Sequence, residues 1–126
     1  MKLNAAGVNA KNITESIKFY ELLGFKFQPF TSADENVETI PEGGVKLMID
    51  TFESVTSILG ETPRPSNHSS FAVQYDSPAE LNAVATKVKE SGFTIFKEPW
   101  DAFWGQRYAI VEDPSGYKVD LYATLA

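Results

Sequence analysis

Two sets of residues in this chain could do chemistry: a sparse set of polar groups and a dense run of aromatic rings. The chain has one histidine, His68, and no cysteine. That removes thiolate nucleophiles, disulfides and thiolate zinc sites. No serine stands in a nucleophile-elbow sequence, so nucleophilic catalysis has no evident pair of nucleophile and base. Carboxylate chemistry is left. Asp120 is the notable case, because it lies between Val119 and Leu121 in an alternating run and projects to the face opposite them. An unpaired carboxylate is costly to bury, so Asp120 calls for a nearby cation or a polar or cationic ligand. As a base it could act on a carbon acid, but without a metal to stabilise the enolate the barrier stays high. Asp50 and Glu112 read either as solvated charges at strand ends or as part of an acidic rim that attracts a cation.

The rings are Trp100, Phe103, Trp104 and Tyr108, the densest aromatic cluster in the chain. They serve either core or dimer packing or the stacking of a planar ligand, which needs neither a metal nor proton transfer. Phe52, beside Asp50 and Thr51, could form a second wall. Arg107 alternates away from Gln106 and Tyr108 and reads as a structural or rim residue.

The elements that must hold these residues come in two similar sets. After an apolar run, Leu3 to Ala10, Asn12 stands three positions before Glu15 and starts a helix over 13–23, closed by Gly24. Strands follow at Phe25 to Gln28, Asn36 to Ile40 and Val45 to Asp50. The second set repeats the order: a strand from Ser69 to Tyr75, Ser77-Pro-Ala-Glu80 opening a helix over 78–90, Gly92 closing it, then strands at Thr94 to Lys97, Trp104 to Glu112 and Tyr117 to Tyr122. Asp113-Pro-Ser-Gly116 joins the last two as a hairpin turn. Such a duplication predicts an α+β fold of paired βαβββ modules, two curled, cup-shaped mixed sheets with helices outside. One domain over 1–126 is expected, with module 1 at about 1–50, an irregular or short helical linker at about 51–67, and module 2 at about 68–126.

Alternation sorts the faces. Val45, Leu47 and Ile49 should meet the helices, leaving Lys46, Met48 and Asp50 opposite. Tyr117, Val119 and Leu121 do the same in the last strand, leaving Lys118, Asp120 and Tyr122. In the first strands Ala6, Val8, Ala10 and Phe71, Val73, Tyr75 face the helices, with Ala5 and His68 on the other side. If each sheet curls with its helices outside, Ala5, Met48, His68 and Asp120 converge inside a cup. His68 also reads as a partly exposed residue at a strand start.

The formal charge of -6 and pI near 4.7 argue against nucleic acid or an anionic membrane as partner. No apolar stretch approaches the roughly 20 residues a membrane span needs, and the first residues lack the apolar core of a secretory signal, so a cytoplasmic location is expected.

Two stretches carry a resemblance to a known family. Thr14-Glu-Ser-Ile-Lys-Phe-Tyr-Glu-Leu-Leu-Gly-Phe25 and Glu112-Asp-Pro-Ser-Gly-Tyr-Lys-Val-Asp-Leu121 resemble the first helix and last hairpin of the vicinal oxygen chelate superfamily, that of glyoxalase I, extradiol dioxygenases and bleomycin-resistance proteins. Gly43-Gly-Val-Lys-Leu with Asp50-Thr51, and the run from Glu98 to Pro114 with its Trp104-Gly-Gln-Arg107, look most like the mitomycin-resistance type within it. The resemblance implies that metal-dependent members would place ligands at Ala5, Met48, His68 and Asp120. Alanine cannot ligate and a thioether suits those ions poorly, so only His68 and Asp120 remain and no metal or other cofactor is expected. It further implies a homodimer and a small-molecule binding protein that sequesters an antibiotic-like, planar or cationic aromatic ligand without metal, with Trp104, Trp100, Phe103, Tyr108, Asp50, Phe52, Met48, Tyr122, Asp120 and His68 as candidate ligand contacts. The alternative is a metal-dependent lyase or isomerase of the lactoylglutathione lyase kind, or a dioxygenase.

Overall fold

Asn12 sets where the first helix begins. Its Oδ1 accepts the Glu15 N–H at 3.1 Å, and helix α1 runs Ile13–Leu23 as the cap spacing predicts. Gly24 stops it at φ 112°, a left-handed conformation open to glycine, and its N–H turns back to the carbonyls of Tyr20 and Glu21. The computed structural model containing this helix describes residues 1–67 and 71–126, and divides into two compact units, Met1–Arg64 and Pro65–Ala126. His68, Ser69 and the sequence-based assignments that fall on them lie outside the described residues.

In the first unit β1 (Ala5–Ala10) pairs in parallel with β3 (Lys46–Thr51), which pairs antiparallel with β2 (Asn36–Glu38), giving the order β1-β3-β2. A parallel pair needs a long crossover, and α1 lies within it. The buried set joins Val8, Ala10, Leu47 and Ile49 of the sheet with Ile13, Ile17, Phe19, Tyr20 and Leu23 of α1. Val45 departs from its expected core role: it precedes the first paired residue of β3 and is 50% exposed. Phe25 to Gln28 is not a strand either, but an isolated bridge between Phe27 and Thr39. Within 51–67, Thr51 accepts the Ser54 N–H and caps helix α2 (Phe52–Leu59), so part of the expected linker is helical.

The second unit has a four-stranded mixed sheet with α3 (Pro78–Glu90) on one face. Its order is β4-β7-β6-β5, formed by β4 (Ala72–Gln74), β5 (Thr94–Ala102), β6 (Gln106–Glu112) and β7 (Lys118–Thr124). Ser77 caps α3 by accepting the Glu80 N–H, while Glu80 reaches back to the Asp76 N–H. Leu81, Ala85 and Val88 of α3 are buried, as are Ala109, Val111, Val119, Leu121 and Ala123 of the sheet. The β6–β7 hairpin closes on Asp113, whose buried carboxylate accepts the N–H groups of Ser115 and Tyr117.

The strand expected at Thr94 to Lys97 continues to Ala102, with register shifts between Ile95 and Lys97 and between Lys97 and Trp100. Trp104, expected at the start of the next strand, instead sits in the turn from β5 to β6, beside Gly105 at φ 90°. Pro99 does not end the strand because β5 is outermost in its sheet, where a missing N–H is tolerated.

Candidate functional site

The face of the second sheet turned away from α3 is built by register. Tyr122 pairs with Tyr108, and Tyr108 with Trp100, so three rings form one row across β7, β6 and β5, with Gln74 of β4 at its end. Tyr108 and Tyr122 stack at 6.2 Å and 21°, while Trp100 meets Tyr108 edge-on at 5.4 Å. Trp104 reaches into this row from the hairpin turn, at 5.4 Å from Tyr108 and 6.1 Å from Trp100. Its indole N–H donates to Gln106 Oε1 at 2.9 Å, which fixes the ring's orientation. Gln106 was not singled out from the sequence; its signal is only that it shares Tyr108's face two positions earlier. Trp104 is still 49% exposed and Phe103, packed on it at 5.0 Å, is 97% exposed. These rings therefore are not core.

Asp120 lies on the same face, one step along β7 from Tyr122. The Tyr108 hydroxyl donates to Asp120 Oδ2, whereas Oδ1 is buried with no hydrogen-bond partner among the described residues. A buried acceptor left unmatched costs about 1–3 kcal/mol, so Oδ1 is a polar group with unused capacity. Arg107 points to the helix side, donating to Asn82 of α3 and Asp101 of β5, and its role there is to tie these elements together.

Burial raises the Tyr108 pKa above its ordinary value of 10.0, and the hydrogen bond to Asp120, its negative charge and the neighbouring Tyr122 add to the rise. Burial, then Glu80, raises Tyr75 likewise. Both phenols keep their protons in the folded chain at a pH where they would ionise unfolded. The stability this contributes is complete below the unfolded value near 10 and is lost as pH rises towards the folded values. We expect denaturant midpoints to fall with pH above about 10, with tyrosinate absorbance from Tyr75 and Tyr108 appearing only on unfolding. A Tyr108→Phe, Tyr75→Phe chain with an unchanged alkaline profile would refute this.

The other candidates fall in the first unit. Across the β1–β3 pair Ala5 faces Lys46 and Met48 faces Gly7, while Asp50 Oδ1 accepts the Asn36 side-chain amide at 2.7 Å. Phe52 opens α2, with Lys11 Nζ 5.8 Å from its ring centroid. Of the four positions that the resemblance implies as metal ligands, Ala5 has no donor, Met48 offers only a thioether, Asp120 keeps Oδ1 while Tyr108 engages Oδ2, and His68 lies outside the described residues. No group of three or more His, Asp or Glu placed to hold a metal occurs among the described residues. Among them, too, no helix is long and apolar enough to cross a membrane.

A family model described as the Glyoxalase/Bleomycin resistance protein/Dioxygenase superfamily matches residues 2–121. No curated protein matches the sequence. Among solved structures, a glyoxalase-related enzyme from Fulvimarina pelagi is similar at TM-score 0.84 and 15% identity, over 98% of this chain and 88% of that one. A hypothetical protein from S. aureus is similar at TM-score 0.80 and 17% identity, over 98% and 93%. Lactoylglutathione lyase from Agrobacterium tumefaciens is similar at TM-score 0.70 and 14% identity, over 96% and 92%. At such identities these likenesses concern the fold.

Proposed function

The chain belongs to the Glyoxalase/Bleomycin resistance protein/Dioxygenase superfamily, and from that premise we propose that it is a small-molecule binding protein. It holds a planar aromatic ligand by sequestration, without a metal, in the manner of the mitomycin-resistance type that its Trp104-Gly-Gln-Arg107 run resembles. The observation that supports this most is the row of Tyr122, Tyr108 and Trp100, with Trp104 set against it at an exposed position. Exposed tryptophan is unfavourable unless something covers it, and a flat conjugated ligand covers it while gaining dispersion. Asp120 Oδ1 supplies a polar handle, which gives orientation in an otherwise apolar contact. Affinity rather than turnover is the output, and the chain works as a cytoplasmic homodimer.

The metal-dependent reading, a lyase, isomerase or dioxygenase, needs ligands that Ala5 and Met48 do not supply. Two measurements on the purified protein separate the readings. We expect less than stoichiometric divalent metal, and saturable quenching of tryptophan fluorescence by mitomycin-class and other planar compounds. One bound divalent ion per chain, with no quenching by any planar compound, would sink the sequestration reading.

A further inference from the structure

A second row runs beside the ring row. Asp120 pairs with Ala72 on one side and Ile110 on the other, and Ile110 pairs with Lys97, so Ala72, Asp120, Ile110 and Lys97 line up across β4, β7, β6 and β5. The register shifts in β5 bring Lys97 into this row, and they also place its ammonium 4.2 Å from the Trp100 ring centroid. The neighbouring carboxylates are engaged elsewhere: Glu98 with Lys89 and Asp101 with Arg107. Among the described residues Lys97 makes no ion pair, and its charge rests on the indole alone. The row thus has an acceptor with spare capacity on β7, an isoleucine side chain in the middle on β6, and an ammonium on β5. Two strand spacings of ~4.8 Å put the backbone positions that carry its charged ends about 10 Å apart.

Resting on the ligand-binding reading above, we propose that the ligand is a dipolar conjugated molecule lying across this second row. It carries an N–H or O–H donor at one end, for Asp120 Oδ1, and an anionic or carbonyl oxygen at the other, for Lys97. Its flat body covers Ile110 and lies along the rings of the first row. Both polar ends are needed, because each completes a group that the described residues leave short of a conventional partner. A cation alone would meet the repulsion of Lys97 at the β5 end; an anion alone would leave Oδ1 unmatched. Reaching Oδ1 takes a side-chain rearrangement at the β7 end, so binding there is slower than contact with the exposed rings.

Calorimetric titration with three naphthalene probes tests this. One carries an amino group and a carboxylate at opposite ends of the ring pair, one only the carboxylate, and one only the amine. We expect the two-ended probe to bind on the order of tenfold more tightly than either one-ended probe. Lys97→Met should erase its margin over the amine, and Asp120→Leu, which removes the acceptor, its margin over the acid, with thermal unfolding confirming that both variants fold. Equal affinities for all three probes, or variants that bind the two-ended probe as tightly as the parent, overturn the proposal and leave the ligand-binding reading standing. Binding of mitomycin-class compounds but of none of the three probes overturns it likewise. Failure of every planar compound overturns both.

Discussion

Phe19→Ala should lower the unfolding free energy by about 3–5 kcal/mol, the largest loss we expect from any single side chain. Phe19 is fully buried on α1 and packs edge-on against Tyr20 at 5.0 Å. Ile17 and Leu23 of the same helix are also buried to within 2% of their surface. Rings held on several sides cannot collapse into the vacated volume, so a cavity term adds to the lost transfer energy. Against a typical total of about 5–15 kcal/mol, such a loss brings the chain close to unfolding at ordinary temperature. Urea unfolding measures it. Phe19→Leu, which refills part of the space, should recover more than half, and a Phe19→Ala chain unfolding at the parent's midpoint would show that α1 is not packed as described.

Trp100→Ala should weaken planar-ligand binding by roughly thirtyfold, about 2 kcal/mol, with little change in the unfolding midpoint. Trp100 touches Trp104, Tyr108 and the Lys97 ammonium on this face. Its removal takes a stacking surface, releases Trp104 from one of its edge contacts and leaves Lys97 to solvent. Phe103→Ala is the control: at the hairpin tip, almost wholly exposed, it should cost much less affinity. Fluorescence titration of both variants, with Trp104 as reporter, decides the matter. Equal losses would mean that the row is not the binding surface.

Helices α1 and α3 were legible because local chemistry specifies them, whereas α2 lay in a stretch that reads equally as an irregular linker. Asn12 and Ser77 each stand three residues before a glutamate, and both make the cap bonds that this spacing implies. Sheet faces were legible for the same kind of reason: Val119, Leu121 and Leu47 alternate with polar residues and are buried. The extent of β5 was not, since Pro99 and the charges around it read as loop, and only the sheet's order shows that this strand is outermost and free of proline's usual constraint. That misreading displaced Trp104 from a turn into a strand. The pairings that set the two rows were equally hidden. Register across three strands is a property of the assembled sheet, so nothing local links Lys97 to Ile110 and Asp120, which lie 13 and 23 positions away in the chain. Gln106 escaped notice because a neutral amide matters only once the indole it meets has been placed.

The two register shifts in β5 have a consequence for solubility at high concentration. A straight nine-residue strand at the margin of a sheet offers a ladder of unpaired amides on which another molecule's strand can grow, the first step towards fibrils. Here the ladder is broken at Ile95 to Lys97 and again at Lys97 to Trp100, and Pro99 removes a donor from it. Lys97 and Glu98 add charge that an incoming strand would have to strip of water. The same irregularities that tilt Lys97 over Trp100 therefore make this margin a poor template for polymerisation, and one stretch of backbone serves both the binding face and the chain's resistance to aggregation.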